Sequence, residues 1–514
     1  MELVADGQVA FVGGSPTVSA VGVSPDLALL GGCGLLLVAV LAVRLSSRTG
    51  VPALLVYLAL GLAMGQAGVG LHFADYQLTS ELGLVALAVI LAEGGLTTRW
   101  SQVRGSLAVA SVLSTVGVFV SVATVGGLAM LVLGTSLRTA VLLGAAVAST
   151  DAAAVFSVLR RLPLTTRLRG VLEAESGLND APTVVLVTLA SSSSWGTTGA
   201  WEAGGLILYE LLVGLAVGLV VGWVGRSTLG RLALPSAGLY PIATVALVLL
   251  SFGAAGSLHA SGFLAVYVAG LVVGSTRLPH RRAVLGFATS LALLAELCLF
   301  VLLGLLASPS RFVDAVPAAL LVGGGAVLLG RPLAVLVSTT PFRMPWREQA
   351  FLAWAGLRGA VPIVLATVPV TAGIPGATDV LDVVFLLVVV LTLVQAPTLP
   401  FVGRRLGVVE DLEARDLEVE AAPLESVGAD LLQIQVRPGS HLHGVYVDEL
   451  RLPPGAVLSL VVRGGTGMVP TGETRIERGD QLLVVATTDS RGAAEERLRA
   501  VSRDGKLARW YKAP

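Results

Sequence analysis

The chain has 514 residues, of which 54% are hydrophobic and only 13% charged, and its 34 basic residues balance its 34 acidic ones. Its mean hydropathy of +0.84 is typical of a protein that crosses a membrane many times, and it excludes a soluble protein built around one core. The two cysteines lie far apart in apolar stretches, so no disulfide framework is predicted. No basic residue precedes the first apolar run, and we expect that run to be a retained helix rather than a cleaved signal peptide.

Thirteen apolar windows follow one another along the chain, and we interpret them as about thirteen transmembrane helices of an all-α polytopic domain. The windows are residues 27–45, 51–68, 82–97, 107–133, 138–159, 170–191, 204–225, 239–257, 261–275, 285–306, 313–337, 349–372 and 380–402. Arginines occur in every second loop, beginning with Arg44 and Arg48 and continuing with Arg99 and Arg104. Because positive residues mark the cytoplasmic side, we expect a multi-pass protein of a bacterial inner (plasma) membrane, with its N-terminus outside and its C-terminus in the cytoplasm.

Charge is concentrated after the last window, where residues 403–514 hold 17 of the 34 acidic and 15 of the 34 basic residues. Short alternating apolar runs, such as residues 432–436, 457–462 and 481–486, are separated by Pro-Gly and Gly-Gly turns and predict a small α+β cytoplasmic domain. The predicted domains are a short extracytoplasmic N-terminus (1–26), a membrane domain (27–402), a charged linker (403–427), the small domain (428–503) and a tail (504–514).

Two of the windows are interrupted at corresponding positions. Asp151 lies in a stretch of small residues in the fifth window, and Arg358 lies in a stretch with glycine and proline in the twelfth. If windows 1–6 and 8–13 form two inverted halves, these positions are equivalent. Interrupted helices at equivalent positions are the best indication in a sequence of a transporter's binding site.

Four acidic residues, Asp151, Glu173, Glu175 and Asp180, fall within 30 residues of one another, in or next to apolar windows. A carboxylate at the bilayer centre costs about 2.5–3.5 kcal/mol on insertion scales, so such a residue usually has a partner or a function. The alternative is that these acids only form ion pairs that support packing. Four acids facing Arg358 would leave a surplus of negative charge, which favours a site for cations, protons or both.

Helical periodicity sorts the polar residues of this region. Ser176 and Asp180 share one helix face, where they offer hard oxygen ligands to a monovalent cation. Asp151 can approach from the neighbouring window, and Thr150 can add a hydroxyl or a backbone carbonyl where that helix is broken. We therefore predict a monovalent cation held by Asp151 and Asp180.

Glu175 falls on the adjoining stripe of the same helix, together with Asn179. A buried arginine without a carboxylate would be an uncompensated charge. We therefore expect Glu175 to form an ion pair with Arg358.

The motif STD (residues 149–151) followed by ESGLND (175–180) resembles the signature of the NhaP-type cation:proton antiporters, within the monovalent cation:proton antiporter family. The resemblance covers about residues 27–405. It implies an NhaA/NhaP-like fold of inverted repeats with thirteen spans, a homodimer, and one helix bundle that moves like an elevator against a dimerisation scaffold.

The resemblance also implies roles for individual residues. Asp180 becomes the shared carrier of cation and proton, and the coordination of the cation is completed by Asp151, Thr150 and Ser176. Asn179 supports the helix crossing. Glu175 and Arg358 become a structural ion pair, and Glu93 corresponds to an acidic position that faces the cavity. No role is assigned to Glu173, Glu210 or Glu296.

The end of the chain carries a second resemblance. The phrases PGSHLHG (438–444), LRLPP (450–454), VPTG (469–472) and RGDQLLVV (478–485) are similar to the TrkA-C (RCK C-terminal) regulatory domain of potassium channels and transporters. The resemblance implies a domain that dimerises and binds a regulatory small ligand such as a cyclic dinucleotide. No other cofactor and no nucleic-acid partner are expected.

Together these features predict a secondary active antiporter in the lipid bilayer that exchanges cytoplasmic K⁺ for external H⁺. The pairing with a TrkA-C domain resembles the potassium/proton antiporter branch, while Na⁺ stays open because both cations would meet the same oxygen ligands. Asn179 is neutral and residues 1–505 contain no lysine, so we expect electroneutral exchange.

Two rival functions lack their required motifs. A ligand-gated potassium channel needs a carbonyl-lined filter, and the chain has no TVGYG-like segment. An intramembrane aspartyl protease needs Gly-x-Gly-Asp at its second acid, where this chain has Leu178 and Asn179. We therefore do not expect an enzyme.

Overall fold

The computed structural model describes residues 25–49, 52–66, 68–71, 73–151, 164–197, 199–276, 278–409, 419–424, 429–437, 439–487 and 489–508. The chain divides into two compact units, with the boundary between Val409 and Glu410. The first unit is helical and the second contains a β-sheet, so the predicted combination of an all-α membrane domain and a small α+β domain is confirmed.

The helices of the first unit follow the apolar windows of the sequence. In order they are α1 (Pro25–Thr49), α2 (Ala53–Met64), α3 (Tyr76–Thr97), α4 (Trp100–Val103), α5 (Leu107–Leu133), α6 (Leu137–Ala148), α7 (Thr166–Ser191) and α8 (Ala200–Leu229). They continue as α9 (Leu239–Ser257), α10 (Gly262–Gly274), α11 (Arg281–Leu306), α12 (Pro309–Gly325), α13 (Arg331–Thr339), α14 (Trp346–Trp354), α15 (Ala360–Thr371) and α16 (Ala377–Leu406). Seven of the described helices are long and apolar enough to cross a membrane, and five shorter apolar helices accompany them. The part of the fifth window after Asp151 lies outside the described residues.

The described helices pack in two groups. Helices α1–α3 and α8–α11 pack mainly on one another and are called here the flanking bundle. Helices α5–α7 and α12–α16 likewise pack mainly on one another and are called the crossing bundle. Glycines permit close approach within the flanking bundle, since a Cβ on Gly61 of α2 would lie 2.1 Å from the Val301 carbonyl oxygen of α11. The two bundles meet where α3 packs on α15 and where α10 packs on α7.

Two helices of the crossing bundle stop in the middle of their predicted windows. Helix α6 ends at Ala148, and residues 149–151 have no regular structure. Helix α14 ends at Trp354, and residues 355–359 separate it from α15. Pro362 lies in the first turn of α15, where a helix tolerates a missing backbone N–H. Both helices therefore end where the sequence predicts an interruption, and α15 continues after the second one.

The second unit is an antiparallel sheet covered by a helix. Its strands are β1 (Val419–Leu424), β2 (Ala429–Gln435), β3 (Ala456–Arg463), β4 (Thr466–Met468) and β5 (Gln481–Thr487), in the spatial order β1-β2-β5-β3-β4. Alternate residues of β2 and β5, including Leu432, Ile434, Leu482 and Val484, form the core together with Leu498 of helix α17 (Arg491–Asp504). The strand alternation predicted for residues 432–436 and 481–486 is therefore the alternation of buried side chains with half-buried or exposed ones.

Ordered elements reach into the predicted linker from both ends. Helix α16 continues to Leu406, and β1 lies within residues 403–427. Residues 410–418 and 425–428 lie outside the described part of the chain. The domain limits given above stay predictions.

Candidate functional site

The segments that follow α6 and α14, residues 149–151 and 355–359, meet through their backbones at a place called here the crossing. The Asp151 amide donates to the Leu357 carbonyl at 2.8 Å. Arg358 Nη1 donates to the carbonyl oxygens of Ser149 at 2.8 Å and Ala148 at 3.2 Å, and the side chain is only 2% exposed. The last carbonyls of a helix have no partners within that helix and carry partial negative charge. The guanidinium of Arg358 therefore stabilises the broken end of α6.

Helix α7 places Asn179 and Asp180 of its ESGLND motif against the same broken segment, residues 149–151. Ser149 Oγ donates to Asp180 Oδ1 at 2.6 Å, and Asn179 Nδ2 donates to Thr150 Oγ1 at 2.6 Å. Asp180 is 4% exposed and Asn179 1%. Asn179 thus connects α7 to the crossing, and Asp180 places a buried carboxylate beside it.

Asp151 lies on the broken segment after α6 and faces the other interrupted segment, residues 355–359. A Cβ on Gly359 would lie 2.0 Å from Asp151 Oδ2, so the carboxylate occupies the space that a side chain at this position would need. Asp151 itself is half-buried. A glycine at position 359 is therefore required for the carboxylate of Asp151 to pack against the backbone that precedes α15.

The predicted ion pair between Glu175 and Arg358 is wrong. Glu175 binds Arg331 instead, with Arg331 Nη2 donating to Glu175 Oε2 at 2.9 Å and Nη1 contacting Oε1. Arg331 Nε also donates to the Leu352 carbonyl of α14 at 3.3 Å. The physical reason is that the guanidinium of Arg358 is directed to the carbonyls of α6, while Arg331 reaches the carboxylate from α13.

Arg331 could have been found in the sequence. It lies inside the eleventh apolar window, between Gly330 and Pro332, which is the same signal that identified Arg358. It begins α13 directly after a π-helical turn (Ala326–Gly330), a feature that is frequent at functional sites. A Cβ on Gly356 would lie 2.9 Å from Arg331 Nε, so the unwound segment between α14 and α15 is also shaped around this arginine.

Three further residues from the sequence analysis, Ser176, Glu93 and Glu173, lie on α7 and α3 rather than on the two segments that form the crossing. Ser176 lies on α7 one turn before Asp180 and is half-buried. Glu93 Oε1 accepts a hydrogen bond from Thr289 Oγ1 at 3.0 Å, which joins α3 to α11 within the flanking bundle. Glu173 pairs with Arg169 one turn earlier on α7, at 2.9 Å.

The chemistry of the crossing suits an alkali cation. Two carboxylates, Asp151 and Asp180, lie with the hydroxyls of Ser149 and Thr150 at the broken end of α6. Hard oxygen ligands favour hard cations over transition metals. Among the described residues no group of three or more His, Cys, Asp or Glu side chains is arranged to hold a metal ion.

Comparison with known protein families divides the chain in the same way as its fold. Residues 35–405 match the family described as sodium/hydrogen exchanger, transmembrane. Residues 431–499 match the TrkA-C domain. Both resemblances expected from the sequence motifs are therefore confirmed.

Curated relatives cover most of the chain. It is 34% identical to the K⁺/H⁺ antiporter NhaP of Alkalimonas amylolytica over 88% of this chain and 79% of that protein. It is 33% identical to the K⁺/H⁺ antiporter NhaP2 of Shewanella baltica over 92% of this chain and 83% of that protein. These relatives are transporters, which agrees with the expectation that the chain is not an enzyme.

A solved structure shares the fold. The sodium proton antiporter MjNhaP1 of Methanocaldococcus jannaschii superposes with a TM-score of 0.64 at 22% identity, covering 74% of this chain and 99% of that one. The chain therefore belongs to the sodium/hydrogen exchanger family, is of the NhaP type, and carries a TrkA-C domain at its C-terminal end.

Proposed function

We propose that this membrane protein exchanges a monovalent cation for a proton and that Asp180 is the group that both ions share. The main support is that the carboxylate of Asp180 is only 4% exposed and accepts a hydrogen bond from Ser149 at the broken end of α6. A buried carboxylate is too costly to leave charged and unpaired, so it is neutralised by a proton or by a bound cation. The two states exclude each other, and this exclusion couples cation movement to proton movement.

Asp151, Thr150 and Ser176 complete the coordination of the cation in this proposal. Asp151 and Thr150 belong to the unwound segment, whose backbone carbonyls add further oxygen ligands. Ser176 lies one turn before Asp180 on α7. Asn179 keeps the unwound segment in place through Thr150, which is a structural role. Glu93 is a secondary cation-attracting position on the flanking bundle.

The transported cation is K⁺, with Na⁺ as the alternative. Support comes from the relatives named as K⁺/H⁺ antiporters, which are 33–34% identical over 88–92% of this chain. A relative named as an Na⁺/H⁺ antiporter, from Aphanothece halophytica, is 29% identical over 72% of the chain. The oxygen ligands of the crossing accept either ion, so selectivity depends on how tightly the unwound segments close around it.

Transport proceeds by movement of the crossing bundle against the flanking bundle, in an elevator-type alternating access. The separate packing of the two groups of helices supports this motion. The protein works as a homodimer in a bacterial inner membrane, with the N-terminus outside and the TrkA-C domain in the cytoplasm. That domain adjusts the activity on binding a small ligand such as a cyclic dinucleotide.

The test is exchange by the purified protein in liposomes that contain a pH-sensitive dye. Adding K⁺ or Na⁺ outside an acid-loaded vesicle is expected to release protons, with a larger maximal rate for K⁺. The apparent KM for the cation should rise as the pH falls, because protons compete for Asp180. Proton release driven by Na⁺ and not by K⁺ would show that Na⁺ is the substrate. No release with either cation would contradict the proposed antiport.

A further inference from the structure

Tyr267 of α10 connects the two bundles next to the proposed carrier. Its side chain is buried, and its ring rests on the backbone of α7 at Gly177, three residues before Asp180. A Cβ on Gly177 would lie 2.1, 2.3 and 2.5 Å from ring atoms Cε2, Cζ and Cδ2 of Tyr267. These distances are far below van der Waals contact, so any residue larger than glycine must displace the ring or the helix.

Tyr267 reaches both bundles. Thr98, at the end of α3 in the flanking bundle, lies beside Tyr267 Oη, and Tyr267 Oη donates to the Glu173 carbonyl of α7, in the crossing bundle, at 3.4 Å. Helix α10 lies close against α3, because a Cβ on Gly95 would be 2.5 Å from the Tyr267 carbonyl oxygen. The backbone of Tyr267 therefore belongs to the flanking bundle, whereas Gly177 and the Glu173 carbonyl that its side chain contacts belong to the crossing bundle.

The contact between α7 and α10 has the same character on either side of this pair. Ala174 of α7 shares a hydrophobic cluster with Leu271 of α10, and Ala181 shares one with Leu264. Residues 174, 177 and 181 are spaced i, i+3 and i+7, so they share one face of α7. The crossing bundle thus presents small residues at positions 174, 177 and 181, and Leu178 of α7 packs beside them against Leu264 and Val268.

We propose that Tyr267 is a positioning residue for the translocation step, which rests on the proposed antiport function. Its ring is the surface along which α7 moves between the two access states, and Gly177 is the complementary position that lets the helix pass. Neither residue binds the cation. Enlarging Gly177 should slow the movement of the loaded carrier and leave the affinity for the cation unchanged.

The first experiment is Gly177→Ala in proteoliposomes, with cation-driven proton flux measured over a range of K⁺ concentrations. Because the added methyl group overpacks a tethered ring, we expect the maximal rate to fall at least about tenfold while KM for K⁺ stays within about twofold. Gly127→Ala is the matched control. It makes the same change on α5 of the crossing bundle, where an added Cβ would meet nothing within 4 Å, and it should exchange at the normal rate.

The second experiment is rescue. Tyr267→Ala removes the ring, so the double variant Gly177→Ala/Tyr267→Ala should recover most of the rate lost in Gly177→Ala. A merely structural role for the pair would change the melting temperature in detergent without this recovery of rate. If Gly177→Ala yields no monodisperse protein, Tyr267→Ala alone carries the test, and we expect a changed maximal rate with unchanged KM.

Three results would overturn the inference. They are a normal rate for Gly177→Ala, a slow Gly177→Ala that Tyr267→Ala does not restore, and a variant whose loss lies entirely in KM. Asp180→Asn in the same vesicles separates this failure from failure of the proposed function. If Asp180→Asn is inactive while Gly177→Ala is normal, only the role of Tyr267 is refuted. If Asp180→Asn still exchanges ions, the proposal that Asp180 is the carrier is refuted, whatever the result for Gly177→Ala.

Discussion

Arg331 holds Glu175 through both terminal nitrogens of its guanidinium, and the two side chains are only 5% and 2% exposed. The pair fixes α13 to α7 one helical turn before Asn179 and Asp180. Arg331 Nε also donates to the Leu352 carbonyl, so a single side chain joins three helices of the crossing bundle. The acid at position 175 is therefore neutralised within the structure and is not available to carry ions.

This ion pair predicts a large loss of stability on Arg331→Ala. Removing one partner of a buried ion pair leaves an uncompensated charge, which costs about 3–5 kcal/mol. Glu175→Gln combined with Arg331→Ala should recover part of the loss, because the stranded charge is then gone. Melting temperatures of the detergent-solubilised variants measure both effects.

The matched control for this cycle is Glu175→Gln combined with Arg358→Ala. Arg358 makes its described hydrogen bonds to the carbonyls of Ala148 and Ser149, so Glu175→Gln should not rescue it. Rescue of Arg358→Ala and none of Arg331→Ala would restore the pairing expected from the sequence.

Arg358 is predicted to support transport through the backbone of α6. Without its guanidinium, two buried carbonyls lose a charged donor, and each such hydrogen bond contributes about 1.5–3 kcal/mol. Arg358→Ala should therefore disorder the segment that presents Ser149 and Thr150 and abolish exchange. Arg358→Lys keeps the charge and should retain partial flux with a raised KM for the cation. Full activity of Arg358→Ala in proteoliposomes would show that the crossing holds without it.

The sequence predicts where the two helices break, but not which side chains pair there. Three features are unusual in apolar windows: the acids, the small residues of 148–151 and the glycines around Arg358. Each can be recognised from the sequence alone. Which arginine meets Glu175 depends on how α13 approaches α7, and nothing in the spacing of residues encodes that approach. The π-helical turn before Arg331 likewise depends on packing.

The same limit applies to Glu93. An acidic side chain inside an apolar window is unusual and can be noticed in the sequence. The hydrogen-bond partner of Glu93, Thr289, lies in a helix nearly 200 residues away along the chain and cannot be predicted from the spacing. By contrast, strands β2 and β5 of the small domain follow directly from alternation, because a two-residue period reports which face is buried.

The TrkA-C domain is predicted to lose stability at low pH through Asp480. Burial alone would raise the pKa of Asp480, but Arg463 donates to its two oxygens at 2.8 Å each and the Glu477 amide donates at 2.8 Å, so the pKa lies below its ordinary value. A depressed pKa contributes stability that is present above the unfolded value of about 3.9 and is lost as the pH falls through the folded value.

Thermal unfolding of the separated second unit, residues 410–514, between pH 7 and pH 2 measures this contribution. Asp480→Asn should lower stability at pH 7 by about 1–3 kcal/mol and flatten the acid part of the profile. Glu477→Gln is the control, because that side chain is 52% exposed and its bond to Arg463 contributes little. An unchanged acid profile in Asp480→Asn would assign the loss to other acids.

Exchange is predicted to be electroneutral. Asn179 beside the carrier is neutral, Glu175 is neutralised by Arg331, and arginine does not release its proton at physiological pH. We therefore expect one cation to exchange for one proton. An imposed potential of either sign across the proteoliposome membrane should leave the rate unchanged. Acceleration by potential, or a steady current on a supported membrane, would require a second proton carrier such as Asp151 or Glu93.

The central claim is that cation and proton share Asp180, and Asp180→Asn tests it most directly. Asparagine keeps the size of the side chain and still accepts the hydrogen bond from Ser149, so the variant should remain folded with a near-normal melting temperature. K⁺-driven proton flux through it, measured in proteoliposomes against the unaltered protein, is predicted to fall to the level of empty vesicles. Substantial flux in a folded Asp180→Asn protein would show that the carrier lies elsewhere.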